Sequence, residues 1–181
     1  MARPSLRTSV GVTLSALVLS IAVWLEQRSS VPSELPRCPT AERVVRIDTR
    51  THALVACEDG VAVHAYRVRL GRGGLGKTRE GDLRTPLGSY ALAPPRPSDR
   101  FGTFVLVGYP TLEQERAGYT GSAIGIHGPP RHLRALGPYL NVIDSTAGCI
   151  GIATDDEMNE LSAWLESRDV RRVEIEGPDA S

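Results

Sequence analysis

Two residues stand out for the chemistry their types and settings allow. His127 closes the apolar run Ala123-Ile124-Gly125-Ile126, and Cys149 opens Ile150-Gly151-Ile152. A thiol and an imidazole are the minimum pair for thiol nucleophilic catalysis: the base favours the thiolate, then returns a proton to the leaving group. Gly125, Gly128, Gly148 and Gly151 bracket the two residues. Glycine lets backbone N–H groups approach a substrate carbonyl closely, as an oxyanion hole requires. The same residues also fit a plain core, with the cysteine a small buried hydrophobe and the histidine neither ligand nor base.

The wider pattern favours chemistry. Ile126-His127-Gly128, followed by Ser145-Thr146-Ala147-Gly148-Cys149-Ile150, resembles the active-site signature of the L,D-transpeptidase (YkuD-type) catalytic domain. Upstream, Gly76-Lys77-Thr78-Arg79-Glu80-Gly81-Asp82-Leu83-Arg84-Thr85-Pro86-Leu87-Gly88 is similar to that family's G-x-x-x-x-G-D-x-x-T-P-x-G segment. The resemblance covers about residues 42–176. It implies a single mixed α/β, β-rich domain, a β-sandwich with one or two short helices, acting on peptidoglycan stem peptides. It implies that Cys149 attacks the carbonyl before the terminal D-residue of a tetrapeptide, while His127 activates the thiol and protonates the departing amine. Backbone N–H groups of Gly148 and Cys149, in a loop with Ala147, would hold the oxyanion. Gly128, Arg131 and Thr146 would contact substrate, and no metal or organic cofactor is needed.

The chain departs from the family's commonest pattern, S-H-G-C-h-R, at two places. Ala147 stands for the histidine and Gly151 for the arginine, and the loss of the arginine removes a charge-assisted hold on substrate. The murein transpeptidase and hydrolase branch, with S/T-x-G-C-I-A-like motifs, is similar here. A peptidoglycan hydrolase on the same site (L,D-carboxypeptidase or amidase-type) and a non-catalytic wall-binding module remain the alternatives to a transpeptidase that cross-links the wall or attaches protein to it.

Composition constrains the rest. The 181 residues carry no net charge, with 41% hydrophobic and 23% charged residues, which suits one globular domain and gives no footing for nucleic acid. Arg3 and Arg7 precede an uncharged run from Thr8 to Leu25, which as a helix reaches about 27 Å, near the hydrocarbon thickness of a bilayer. Residues 1–28 therefore read as a signal peptide, cleaved near Ser20-Ile21-Ala22, or as an uncleaved anchor with Trp24 at the interface. Either places the domain outside the cytoplasm, in the periplasm or on the outer face of the membrane. Residues 29–41 read as a proline-rich linker, leaving 42–176 as the catalytic domain. In an oxidising compartment Cys38 and Cys57 are expected to pair, leaving Cys149 free; the alternative is a buried Cys57 and a free surface Cys38.

Periodicity supplies the supporting elements. Arg43–Asp48, His52–Glu58 and Val61–Leu70 read as three antiparallel strands, with a hairpin at Asp59-Gly60 and a bulge at Ala65-Tyr66. His52 and His64 fall there as structural or exposed residues. Gly71 with Gly76-Lys77-Thr78 matches a phosphate-loop spacing, but Gly81 and Pro86 deny it the required helix. Ser89–Leu92 and Gly102–Gly108 read as strands. Pro129-Pro130 opens a short helix to about Ala135, capped by Gly137, with Arg131 and Arg134 either at the cleft mouth or on a solvated face, and His132 on the surface. Thr154 with Glu157 forms a capping box for a helix faced by Met158, Leu161 and Leu165, ending near Arg168, so the acidic cluster there is a helix start rather than a metal site. Val173 and Ile175 end the domain on a strand.

Overall fold

The computed structural model describes residues 8–40 and 42–178. Nine strands form its centre: β1 (Arg43–Asp48), β2 (Ala53–Glu58), β3 (Val61–Arg69), β4 (Gly88–Ala91), β5 (Arg96–Ser98), β6 (Gly102–Leu106), β7 (Gly125–His127), β8 (Ile150–Ile152) and β9 (Arg172–Glu176). They are joined in one mixed sheet of order β4-β9-β1-β2-β3-β8-β7-β6-β5.

The β-rich mixed character is as expected, but the sandwich is not. A sandwich needs two separate sheets, whereas β3 belongs to both halves of this one. Its first part pairs antiparallel with β2, and its last two residues pair with β8, Val68 opposite Ile152 and Arg69 opposite Gly151. The sheet is therefore continuous and curls about its contents. Val45, Ile47 and Leu54 from one half share a single cluster with Val105, Ile126 and Ile150 from the other. Two of the pairings are parallel, β1 with β9 and β7 with β8.

Local chemistry explains the hairpins. Asp59 and Gly60 both take positive φ (50° and 87°), the signature of a type I′ turn whose twist suits the flanking strands. The irregularity of β3 lies at Val63, not at Ala65-Tyr66: Ala56 pairs with His64 and Cys57 with Ala62, so Val63 has no partner. The extra residue resets the alternation, and Tyr66 and Val68 then point into the core.

Helix α2 (Leu112–Arg116) follows β6, and α3 (Asp155–Ser167) follows β8. The Thr154 hydroxyl accepts from the Glu157 N–H and the Glu157 carboxylate from the Thr154 N–H, closing the expected capping box. Met158, Leu161, Trp164 and Leu165 of α3 close the core. Arg131–Val142 forms 3-10 turns interrupted at Gly137 (φ 50°, ψ −133°), so that glycine breaks the segment in its middle instead of capping an earlier end.

Cys38 and Cys57 are joined by a disulfide across 19 positions. Cys57 is fully buried beside Val44 and Val55, so the bridge fastens the segment before β1 to the outside of the β1–β2 hairpin. A loop of that length constrains the unfolded chain by about 3 kcal/mol in the chain-entropy model. Urea unfolding with and without reductant is expected to differ by about that amount, and Cys38→Ser to match the reduced protein.

Before the sheet lies α1 (Thr8–Ser29). Among the described residues no helix is long and apolar enough to cross a membrane. The leader expected over residues 1–28 begins outside the described residues and gains no support from them.

Candidate active site

The turn carrying Cys149 is built outward from the end of β3. Thr146 N–H donates to Leu70 O (3.1 Å), and Arg72 N–H donates back to Thr146 O (3.0 Å), which stitches the turn to the chain leaving β3. From that fixed position the Thr146 hydroxyl donates to Cys149 O (2.7 Å) and accepts from the Gly148 N–H (3.1 Å). Thr146, expected at substrate, folds the turn and also lines the cleft. Asp144 ties the same turn down from the other side, accepting from Leu70 N–H (2.7 Å) and facing His52 Nε2 at 3.1 Å. Burial opposes ionisation of Asp144, and these two partners outweigh it, so its carboxyl lies below the usual range. His52, expected as a structural or exposed residue, pairs with this carboxylate.

The oxyanion role expected of Gly148 meets a conflict. Its N–H is already donated to Thr146 Oγ1. Gly148 is required here for another reason: φ is 117°, and a Cβ would stand 2.5 Å from Arg84 O. Ala147 is exposed at the apex of the turn and lines the cleft.

The glycine-rich stretch upstream is knitted to itself. Lys77 Nζ donates to Asp82 Oδ1 (2.7 Å) and to Arg79 O (2.9 Å), and Asp82 also accepts from the N–H groups of Thr78, Arg79 and Arg84. Burial works against the Asp82 anion, yet Lys77 and these N–H groups hold its carboxyl well below the ordinary range. The lysine a phosphate would need is already committed.

His127 ends β7 beside β8, with Ile126 opposite Ile150 and His127 opposite Gly151. Side chains two apart on a strand share a face, so Cys149, one position before β8, and His127 are directed to the same side. Both line one cleft of about 680 Å³. The imidazole is 3% exposed and stacks on Phe101 with ring centroids 3.7 Å apart. Its Nδ1 lies 2.7 Å from Gly128 O. A carbonyl only accepts, so Nδ1 carries the proton and Nε2 keeps the lone pair of a base. Gly128, expected at substrate, orients the histidine through its carbonyl.

The electrostatics give a neutral pair rather than the thiolate–imidazolium pair that the residue types suggest. Burial pushes the His127 pKa down to about 4; the Gly128 bond resists this, and the Arg69 and Arg100 charges add to it. Burial also raises the Cys149 thiol above its ordinary value, against the Gly125 backbone and the charges of Arg100, Lys77 and Arg69. The thiol donates to Ala123 O at 3.6 Å. At neutral pH the resting site holds a thiol and an imidazole free to take its proton as attack begins.

The cleft wall is cationic. Arg69, Arg72, Arg96 and Arg100 line it, and among the described residues no carboxylate does. These four, and not Arg131, are the cleft's arginines. Arg131 is exposed outside the lining, and Arg134 is spent on Asp155 at 2.8 Å, so the expected binding role of Arg131 has no support from its position. His132, read as a surface residue, is exposed at the cleft mouth. Among the described residues no group of acidic, histidine and cysteine side chains could hold a metal ion.

The model of the YkuD family, the L,D-transpeptidase catalytic domain, matches residues 42–175. This chain belongs to that family. Among solved structures it is similar to the helical cell shape determining protein Pgp2 from Campylobacter jejuni, at 24% identity and TM-score 0.61, over 86% of this chain and 55% of that one. Bd1075 from Bdellovibrio bacteriovorus is similar at 17% identity and TM-score 0.53, over 81% of this chain and 53% of the other. These likenesses establish the fold, and the chain spans about half the length of the proteins it matches. No curated protein sequence matches the chain significantly.

Proposed function

We propose that the protein is a peptidoglycan L,D-transpeptidase that uses Cys149 as nucleophile and His127 as proton acceptor and donor. The observation that carries this reading is one cleft lined by the free thiol, a buried imidazole whose Nε2 is unprotonated and four arginines, with no carboxylate among the described residues. A cationic wall suits an acidic peptide, as stem peptides are. His127 Nε2 takes the thiol proton as sulfur attacks the carbonyl, and returns it to the leaving amine. An acceptor amine then resolves the acyl-enzyme. Because Gly148 N–H is engaged, the oxyanion falls to the Cys149 N–H, unless the Thr146 bond to Gly148 yields as charge develops. The Cys38–Cys57 disulfide supports a place outside the cytoplasm, in the periplasm or at the outer membrane face, with residues 1–28 as leader or anchor.

The test is intact-protein mass spectrometry after incubation with a carbapenem, an acylating inhibitor class for this family. A one-to-one adduct is expected on the wild type and none on Cys149→Ala. Incubation with a stem tetrapeptide and an acceptor then reads the outcome: a cross-linked dimer supports the transpeptidase, and a shortened monomer alone replaces it with a hydrolase. No adduct and an uncut peptide would sink both and leave a wall-binding module.

A further inference from the structure

The least explained group in the cleft is Arg69, the last residue of β3. It is 3% exposed, and among the described residues no carboxylate shares the cleft lining with it. Nη1 donates to Asn141 Oδ1 (2.9 Å) and Ile152 O (3.2 Å), both neutral. Nη2 is buried and, among the described residues, has no hydrogen-bond partner. A buried guanidinium with a spare donor and no counter-ion is costly, and such a charge is retained where an anion completes it.

Its placement says which anion. Gly151 sits between Arg69 on one neighbouring strand and His127 on the other. A Cβ on Gly151 would stand 2.5 Å from Arg69 Cζ and 2.6 Å from Nε, so the guanidinium lies across the glycine. Gly151 is on the same face as Cys149, two positions on. The side chain absent at 151 is thus replaced by one entering from β3, beside the thiol, and the missing residue and the arginine account for each other. Its charge is close enough to act on both Cys149 and His127. Since those two rest neutral, no group among the described residues lining the cleft balances the guanidinium.

We infer that Arg69 is a substrate-binding residue whose free Nη2 donates to a carboxylate of the peptide, next to the bond that Cys149 attacks. This rests on the transpeptidase reading only for the name of the peptide. Carboxylate recognition beside a reactive thiol is testable without it.

Iodoacetate and iodoacetamide alkylate a thiol by the same displacement of iodide and differ by one carboxylate. The ratio of their rates on Cys149, divided by that on free cysteine, measures carboxylate recognition apart from thiol reactivity. Long-range attraction by Arg72, Arg96 and Arg100 is removed by working in about 1 M salt, where the screening length is about 3 Å. The wild type is expected to favour iodoacetate by about 10–100-fold, the range of a charge-assisted hydrogen bond. Arg69→Met is expected to lose that preference, and Arg69→Lys to keep part of it. A stem tetrapeptide and its C-terminal amide extend the test, with the KM gap between them expected to close in Arg69→Met. A wild-type ratio near that of free cysteine overturns the proposal even if neither variant folds. So does an unchanged ratio in a folded Arg69→Met. A high ratio lost in Arg69→Met, with no peptide turned over, would uphold Arg69 while removing the transpeptidase reading. Turnover with an indifferent ratio would do the reverse.

Discussion

Replacing His127 by asparagine is expected to slow carbapenem acylation of Cys149 by about 10²–10⁴-fold, the range spanned by a positioned general base. The thiol is held above its ordinary pKa and the imidazole is brought down to about 4, so little thiolate exists before substrate arrives. The proton must leave during attack, and the ring nitrogen left with a lone pair is His127 Nε2, because Nδ1–H is bound to Gly128 O. Asparagine retains an N–H donor for Gly128 but offers no base. Stopped-flow acylation at pH 7 measures the effect. A loss under about tenfold would mean that the thiolate forms without His127, from the pull of Arg69, Arg100 and Lys77 alone. A loss restored by raising the pH would support the base role, since hydroxide then does what the imidazole did.

How far the sequence led follows from where information sits along the chain. The Thr154/Glu157 box, the Asp59-Gly60 turn and the β1–β3 meander depend on neighbours in sequence and were legible. The curl of the sheet was not, because it depends on β3 exchanging partners from β2 to β8, and pairing partners leave no mark in periodicity. Arg69 was missed for a related reason. Val68 and Leu70 alternate with it, which reads as an arginine on the solvent face. That face is covered by the 3-10 turns, where Asn141 accepts from Nη1 and donates to Arg67 O. Arg131 follows the histidine motif closely, but it is exposed and outside the cleft lining. Thr146 and Gly148 lie in the turn that the motif marks, where the Thr146 hydroxyl donates to Cys149 O and accepts from the Gly148 N–H. A T-x-G-C sequence looks the same whether its hydroxyl meets substrate or folds the turn.

Acid is expected to weaken the fold before any carboxylate of the site responds, and His127 is the reason. In the unfolded chain an imidazole protonates near 6.5, whereas in the fold burial against Phe101, with Arg69 and Arg100 facing it, delays protonation to about 4. Between those values the unfolded state binds a proton that the folded state refuses, and stability rises with pH wherever that holds. The contribution is therefore complete above pH 6.5 and is lost as pH falls to about 4. Over that interval the loss amounts to roughly 3 kcal/mol. Asp144 and Asp82, whose carboxyls are held below their ordinary values, weaken the fold only under their unfolded value of 3.8, so their window lies lower. Urea midpoints from pH 7 to pH 4.5 for the wild type and for His127→Asn separate the two effects. The wild type should decline steeply, and the variant should lack most of that slope while starting less stable at pH 7 from its lost stacking on Phe101. Parallel curves would mean that His127 protonates in the folded state without cost, and the neutral-pair chemistry would fall with it.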